Sequence, residues 1–270
     1  MQRNSSANHF SSGGQLVTSA PHEARFDYDP VSLTLRGLLT EPAATNIVSE
    51  SHASTTYWTG DQCTVSDLAL SALGQFDGLE VDSGAKAWSR ARISIDVAVN
   101  PQIAVTAYYR LGSSGSLRFR LNSGSQITQF QGYPNAYNMS RTDLGTPSVI
   151  TDDLLADGLT RRLCVLLTLP NTGSYTIGLG ANSSVSGETI VLLGMQVEEG
   201  ATDTSFITTQ GSSGQRAADQ VTFNNLVGTY DFEVTYAEGF TTQTGPVVVG
   251  PGYVLPVTQG HIQSVAATLL

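Results

Sequence analysis

The sequence predicts an all-β chain, an antiparallel jelly-roll β-sandwich followed by a small C-terminal β module. Three observations support this. Helical periodicity is nearly absent, while short β-branched or alternating segments recur between Gly, Ser, Asn and Pro punctuation. With 270 residues, 40% apolar and 13% charged, the chain has enough apolar surface for a real core and too little charge to be held open by self-repulsion. The 27 glycines follow no three-residue period and Lys86 is the only lysine, so neither collagen nor a long helical rod fits.

The elements follow in order. Ile93 to Val99 alternates apolar and polar and stops at Asn100-Pro101. Ile103 to Leu111 reads as the next strand, Gly112-Ser113-Ser114-Gly115 as a turn, and Leu117-Arg118-Phe119-Arg120-Leu121 as the returning strand of a hairpin with one apolar and one basic, solvated face. Arg161 to Leu169 reads as a buried strand, Asn171-Thr172-Gly173 as its turn, Tyr175 to Leu179 as its return, and Thr189 to Val197 as a further strand. The pattern relaxes at Gly211-Ser212-Ser213-Gly214, which reads as a connector. Beyond it, Gly228 to Tyr236 and Phe240 to Val249 form a hairpin around Ala237-Glu238-Gly239, followed by Gly250-Pro251-Gly252 and a last strand from His261 to Leu269. This predicts a main domain over 1–222 and a small module over 223–270. The module is too short to fold alone and is expected to pack on the first domain or on a neighbouring subunit.

A net charge of −10 argues against nucleic-acid binding, which draws on Lys and Arg against phosphate, and against anionic membranes. Arg118 with Arg120 and Arg161 with Arg162 read as the tight basic pairs, without a basic stripe around them. No apolar run approaches the roughly 20 residues that span a bilayer, so no membrane insertion is expected. Met1 to Ser6 lacks the apolar core of a secretory signal, so an exported form is expected to leave the cell by lysis or within a particle. Cys164, inside the apolar run Leu163 to Leu169, reads as a small buried hydrophobe, and whether it pairs with Cys63 is open.

The search for chemistry returns little. His9, His22, His52 and His261 lack metal-ligand spacing and read as bystanders in polar, loop-like contexts. There is no nucleophile elbow, P-loop or dinucleotide fingerprint, and neither a catalytic residue nor a cofactor or metal is expected. The adjacent pairs Asp152-Asp153 and Glu198-Glu199 point to opposite faces of a strand and cannot jointly flank a sugar. Asp27 and Asp29 are hard oxygen ligands of the kind calcium takes, but Asp29-Pro30 reads better as a turn with Asp27 bonded to local backbone amides, and calcium stays open there. Tyr57, Trp58, Trp88, Tyr108 and Tyr109 could stack on a sugar, although the tryptophans are expected to plug the space between sheets. The most loop-like aromatic cluster is Tyr133-Pro134-Asn135-Ala136-Tyr137-Asn138. Tyr133, Asn135, Tyr137 and Asn138 are therefore the candidate ligand contacts.

Two sets of blocks bracket the main domain. At the front are Ala24-Arg25-Phe26-Asp27-Tyr28-Asp29-Pro30, Leu35-Arg36-Gly37-Leu38-Leu39 and Glu41-Pro42-Ala43-Ala44-Thr45-Asn46, with Trp58 further on. At the back are Gly194-Met195-Gln196-Val197-Glu198-Glu199-Gly200, Thr204-Ser205-Phe206-Ile207 and Gly214-Gln215-Arg216-Ala217-Ala218-Asp219. In these blocks the chain resembles the jelly-roll, concanavalin-A-like or carbohydrate-binding-like domains of tailed-phage fibre and spike proteins, also seen in phage-derived gene transfer particles. The tail, with Gly228-Thr229-Tyr230-Asp231, Gly252-Tyr253, Pro256 and His261-Ile262, resembles the small β-module that often follows such a domain.

The resemblance implies a protein of the virion surface, made in the host cytoplasm, that presents its jelly roll to the host envelope for glycan-mediated attachment. Other virion proteins, a symmetric homo-oligomer such as a trimer, and a host surface glycan are the implied partners. A purely architectural or decorating virion protein and a polysaccharide depolymerase are the competing readings. No catalytic residue is carried over, because the shared blocks read as folding determinants.

Overall fold

The computed structural model describes every residue except Ala85 and Ala87, and no helix occurs among the described residues. The protein is all-β, as expected, and its named strand ladders are antiparallel. It divides into two compact units, Thr45–Gly214 and a second built from Met1–Ala44 and Gln215–Leu270.

The Thr45–Gly214 unit is the jelly-roll sandwich. One sheet runs, in spatial order, Ala136–Thr142, Gln126–Tyr133, Leu117–Ser123, Gly173–Ala181, Arg90–Val97, Thr59–Asp61. The opposing sheet runs Val149–Leu154, Thr160–Thr168, Gln102–Leu111, Thr189–Glu199, Phe76–Ser83, Cys63–Ala72. Alternation sends Ile93, Ile95, Leu117, Phe119, Leu121, Ile177 and Leu179 from the first sheet against Ile103, Val105, Leu163, Val165, Leu192 and Val197 from the second. Trp58 lies in this core, its indole N–H donated to the Glu50 carbonyl at 3.1 Å.

Two expected hairpins are corrected. Gln102–Leu111 and Leu117–Ser123 do not pair, and neither do Thr160–Thr168 and Gly173–Ala181. In each case the chain crosses from one sheet to the other. Both strands of each pair carry an apolar face, and crossing between sheets turns those faces toward each other across one core.

In the other unit the tail hairpin, Gly228–Tyr236 with Thr241–Val249, and the last strand, Gly260–Leu269, form as expected. The boundary at residue 222 does not coincide with the compact units. The N-terminal strands Leu35–Thr40 and Phe26–Tyr28 complete the tail's sheet to five strands, with Ile262 opposite Leu38 and Gly260 opposite Thr40. Leu38 of these strands packs against the core of Phe232, Val234, Tyr236 and Ile262, which is otherwise covered from within the tail by Val221, Phe223, Tyr253 and Val257.

Buried charge ties this unit together. Arg25 pairs with Glu41 at 2.7 Å and with Asp219, Arg3 pairs with Asp219 at 3.1 Å, and Arg216 pairs with Glu41 at 3.0 Å. Arg25 and Glu41 come from the front blocks and Arg216 and Asp219 from the back, so residues that carry the resemblance meet in one structural ion cluster.

Candidate functional site

The face of the first sandwich sheet that points away from the core is polar, and register makes it so. Leu117, Phe119 and Leu121 point inward, so Arg118, Arg120 and Asn122 point outward. Across the sheet, Arg118 stands opposite Gly180 on one side and Gln131 on the other, and Gln131 stands opposite Asn138. Arg120 stands opposite Gly178 and Gln129, Gln129 opposite Arg141, and Gly178 opposite Arg92, which in turn faces Thr59. Arg90 stands opposite Asp61. The outward face thus carries two adjacent rows of guanidinium and amide groups.

A glycine column holds these rows in place. A Cβ on Gly178 would lie 1.9 Å from the Ala91 carbonyl oxygen, and one on Gly180 would lie 2.0 Å from that of Ser89. With no side chain at these two outward positions, long side chains can lie across the strand there. Arg90 reaches over to donate to the Asn122 side-chain oxygen at 2.5 Å, and the Arg120 guanidinium stacks 5.2 Å from the Trp88 ring centroid. Trp88 therefore corrects the expectation that both tryptophans fill the core: Trp58 does, while Trp88 supports the outward face.

The face is short of acceptors. Arg118 donates to Asn182, Arg90 and Arg92 lie 3.1 and 3.4 Å from the Asp61 carboxylate, and Arg141 pairs with Asp143. The Nε atoms of Arg90, Arg118 and Arg120 are buried without a hydrogen-bond partner. Burial, and then the like charge of Arg120, take the Arg118 guanidinium down to about 10. Burial likewise takes Arg90 to about 10, with Asp61 opposing the fall and Arg120 and Arg92 adding to it. All of these groups remain cationic at neutral pH.

The four residues singled out from the sequence are placed differently from one another. Tyr133 to Asn138 is a tight hairpin rather than a loose loop: Tyr133 pairs with Ala136 around Pro134 and Asn135, and Asn135 takes φ 61°. Tyr133 is exposed, Asn135 sits at the hairpin tip, and Asn138 lies on the outward face beside Gln131. Tyr137 turns inward, which departs from the exposed contact expected of it. Its hydroxyl donates to Asp152, which also accepts from Tyr109 at 2.5 Å and from Arg161 Nε at 2.9 Å, so this group ties the two sheets together. Burial, and then the Asp152 charge, hold the Tyr109 phenol well above its ordinary range.

The adjacent carboxylates point to opposite faces as expected, and Asp152, Glu198 and Glu199 hold the fold together. Asp152 is buried in that tie, and Asp153 is exposed. Glu198 is buried and accepts from Thr204 N at 2.9 Å and Gln196 Nε2 at 2.8 Å, while Glu199 accepts from the amides of Ala98, Val99 and Asn100 at 2.7 to 2.9 Å. Asp29 forms the predicted turn, accepting from Val31 N and Ser32 N at 3.0 and 2.8 Å. Asp27 is not bonded only locally: it accepts from Phe10 N at 2.7 Å and faces His261 Nε2 at 2.8 Å. His261 also meets Glu238 at 2.6 Å, so it is a strand residue held between two carboxylates rather than a loop bystander. His52 is likewise packed, stacked on Phe206 and edge-on to Phe76. No group of three or more His, Cys, Asp or Glu suited to a metal occurs among the described residues. Both cysteines are free thiols, with Cys164 buried as expected.

The arginine rows are the feature that sequence reasoning missed. Its signal was available, because the Arg-x-Arg spacing of Arg118 and Arg120 recurs at Arg90 and Arg92. Only cross-strand register shows that the two pairs share a face.

No protein-family model and no curated protein matches the chain. Among solved structures, part of the chain is similar to the CBM22-1 xylan-binding domain of Xyn10C from Paenibacillus barcinonensis. The identity is 16%, the match covers 58% of this chain and 94% of that domain, and the TM-score is 0.37. A likeness at this level carries no argument about ligand.

Proposed function

We propose that the protein is a glycan-binding β-sandwich displayed on a virion surface, where it attaches the particle to its host. One observation carries the binding part: the outward face of the first sandwich sheet aligns guanidinium and amide donors in two rows beside the Trp88 indole. Sugars are bound by such hydrogen-bond donors to their hydroxyls together with an aromatic face against their C–H groups. The virion assignment, its implied protein partners and a symmetric oligomer rest on the resemblance of the front and back blocks. Isolated sugar contacts are weak, and a multivalent display would convert them to avidity.

A glycan array probed with the purified chain tests the binding part. Retention on a defined glycan set, lost when Arg120 and Gln131 are both changed to Ala, is the expected result, and no retention on any glycan refutes it. Cryo-electron microscopy of purified particles tests the placement, with distal density at the tail tip expected and absence from particles refuting it. An architectural role is the second reading. It is favoured by apolar side chains that the terminal unit leaves exposed, Phe26 at 55%, Leu269 at 63% and Val248 at 83%. Density flush against shell or tube, with no glycan response, would select it.

A further inference from the structure

We infer that the ligand of the outward face is an acidic polysaccharide, one whose sugars carry carboxylate or sulfate groups, held by the guanidinium rows of Arg90, Arg92, Arg118, Arg120 and Arg141. The inference rests on the glycan-binding reading and narrows it to a substrate class.

The argument begins with charge. The chain carries a net −10 and only 13 basic residues, yet five of them share this face. The carboxylates that answer them are Asp61 and Asp143, so the rows hold more cations than anions. Asp96, further along the Arg90–Val97 strand, is engaged with Ser174. Clustering like charges in a partly buried setting costs stability, and leaving guanidinium N–H groups without acceptors costs more. A neutral glycan would supply hydroxyl acceptors but no countercharge. An acidic one supplies both, and guanidinium forks match planar carboxylate and sulfate oxygens.

Geometry points the same way. Arg92 and Arg141, at opposite ends of one row with Arg120 between them, keep 41% and 46% of their side chains exposed, while Arg118 and Arg90, in the adjacent row, are sunk into the face. Across-sheet spacing of about 4.8 Å per strand puts the Arg92 and Arg141 strands roughly 19 Å apart, the span of a short oligosaccharide rather than of one sugar. Trp88, under the Arg120 guanidinium, holds that cation in place among the others.

Affinity electrophoresis of the full chain tests this in gels containing polygalacturonate, dextran sulfate, neutral xylan or neutral dextran, with single-stranded DNA titrated in solution. Retardation by polygalacturonate or dextran sulfate but not by neutral gels is expected, and the stronger of the two identifies the acidic group. The effect should weaken with added salt. The double variant Arg92→Gln/Arg141→Gln should bind about tenfold or more weaker, while Arg36→Gln, an exposed arginine of the other unit, should match the parent. Both substituted arginines are exposed, so circular dichroism is expected to show an unchanged fold. Equal retardation by neutral gels, with the double variant unaffected, overturns the acidic ligand and leaves glycan binding standing. No retardation in any gel overturns both readings. DNA binding as tight as that of the acidic glycans shows a general polyanion surface and overturns the glycan assignment.

Discussion

Replacing Asp219 with Asn should loosen the terminal unit selectively and strongly. The Asp219 side chain is fully buried between the equally buried guanidinium groups of Arg3 and Arg25, and its Oδ2 also accepts from the Glu41 amide at 3.0 Å. Asn is nearly the same size, so no cavity forms. What disappears is one of the two carboxylates opposing Arg3, Arg25 and Arg216, and an N–H₂ group is left facing a cation. Breaking a buried ion pair by removing one partner typically costs about 3–5 kcal/mol, because the remaining charge stays desolvated and unpaired. At 1.4 kcal/mol per tenfold, that is roughly a 100- to 3000-fold rise in the unfolded fraction. Hydrogen exchange followed by mass spectrometry reads it directly: amides of Leu35–Thr40 and Gly260–Leu269 should exchange faster by about that factor. Peptides from Gln102–Leu111 report whether the sandwich core responds. A change below about 1 kcal/mol, or fivefold, would show that the cluster relaxes to solvate the stranded charge, and the account of this unit's cohesion would fail.

Four further outcomes are expected. Gly178→Ala forces a Cβ against the Ala91 carbonyl and should lower sandwich stability by about 1–3 kcal/mol, read as a shifted thermal transition in tryptophan fluorescence, since Trp58 and Trp88 both lie in that unit. Tyr137→Phe removes a donor to Asp152 and should cost about 1 kcal/mol in urea unfolding, whereas Tyr133→Ala, at an exposed position, should stay within about 0.5 kcal/mol. The pH dependence of the terminal unit should follow His261 and Glu238. Burial opposes a charged His261, but hydrogen bonds to Asp27 and Glu238 raise its pKa above 6.5, so its contribution is full below that value and fades as pH rises through the folded-state pKa. Burial likewise opposes the charged Glu238, but the His261 contact lowers its pKa below 4.5, so its contribution is full above that value and is lost on acidification through the lowered pKa. Exchange protection of Gly260–Leu269 should therefore be greatest between about pH 4.5 and 6.5, and His261→Gln should flatten the profile. Finally, burial pushes the Cys164 thiol up to about 12, so iodoacetamide at pH 8 should label it only after unfolding.

The fold class was legible because its cause is local. Strict alternation in Leu117 to Leu121 and Ile93 to Val97 specifies which side chains face a core whatever strand lies alongside. The turns were legible only as turns. Gly112 to Gly115 and Asn171 to Gly173 reverse the chain, but whether the returning strand pairs with its predecessor or crosses to the opposite sheet depends on where the other apolar faces lie, which is a property of the whole sandwich. For the same reason the tail could be seen to need a partner, while the strands that extend its sheet, more than 200 residues away in sequence, could not. His261 looked idle because Asp27 is 234 positions away.

The candidate site shows the same limit more sharply. Individually, Arg90, Arg92, Arg118, Arg120 and Arg141 are unremarkable polar residues on solvated strand faces, and a chain of net −10 gives no reason to add their charges together. Two registers place Arg92, Arg120 and Arg141 in line: Gly178 between Arg92 and Arg120, and Gln129 between Arg120 and Arg141. A one-residue slip of any of these strands would turn its arginines into the core, where the apolar alternation forbids them. The packing that builds the sandwich therefore also aligns the cations, and the glycine column that lets strands approach closely clears the space in which Arg90 and Arg120 lie across the sheet. The core fixes which face is outward and in what register, but it imposes no need for arginine there, since Ser or Thr would satisfy the same alternation. The alternation that builds the sheet therefore leaves the choice of arginine at these outward positions open, and their intramolecular partners are polar groups of the same unit.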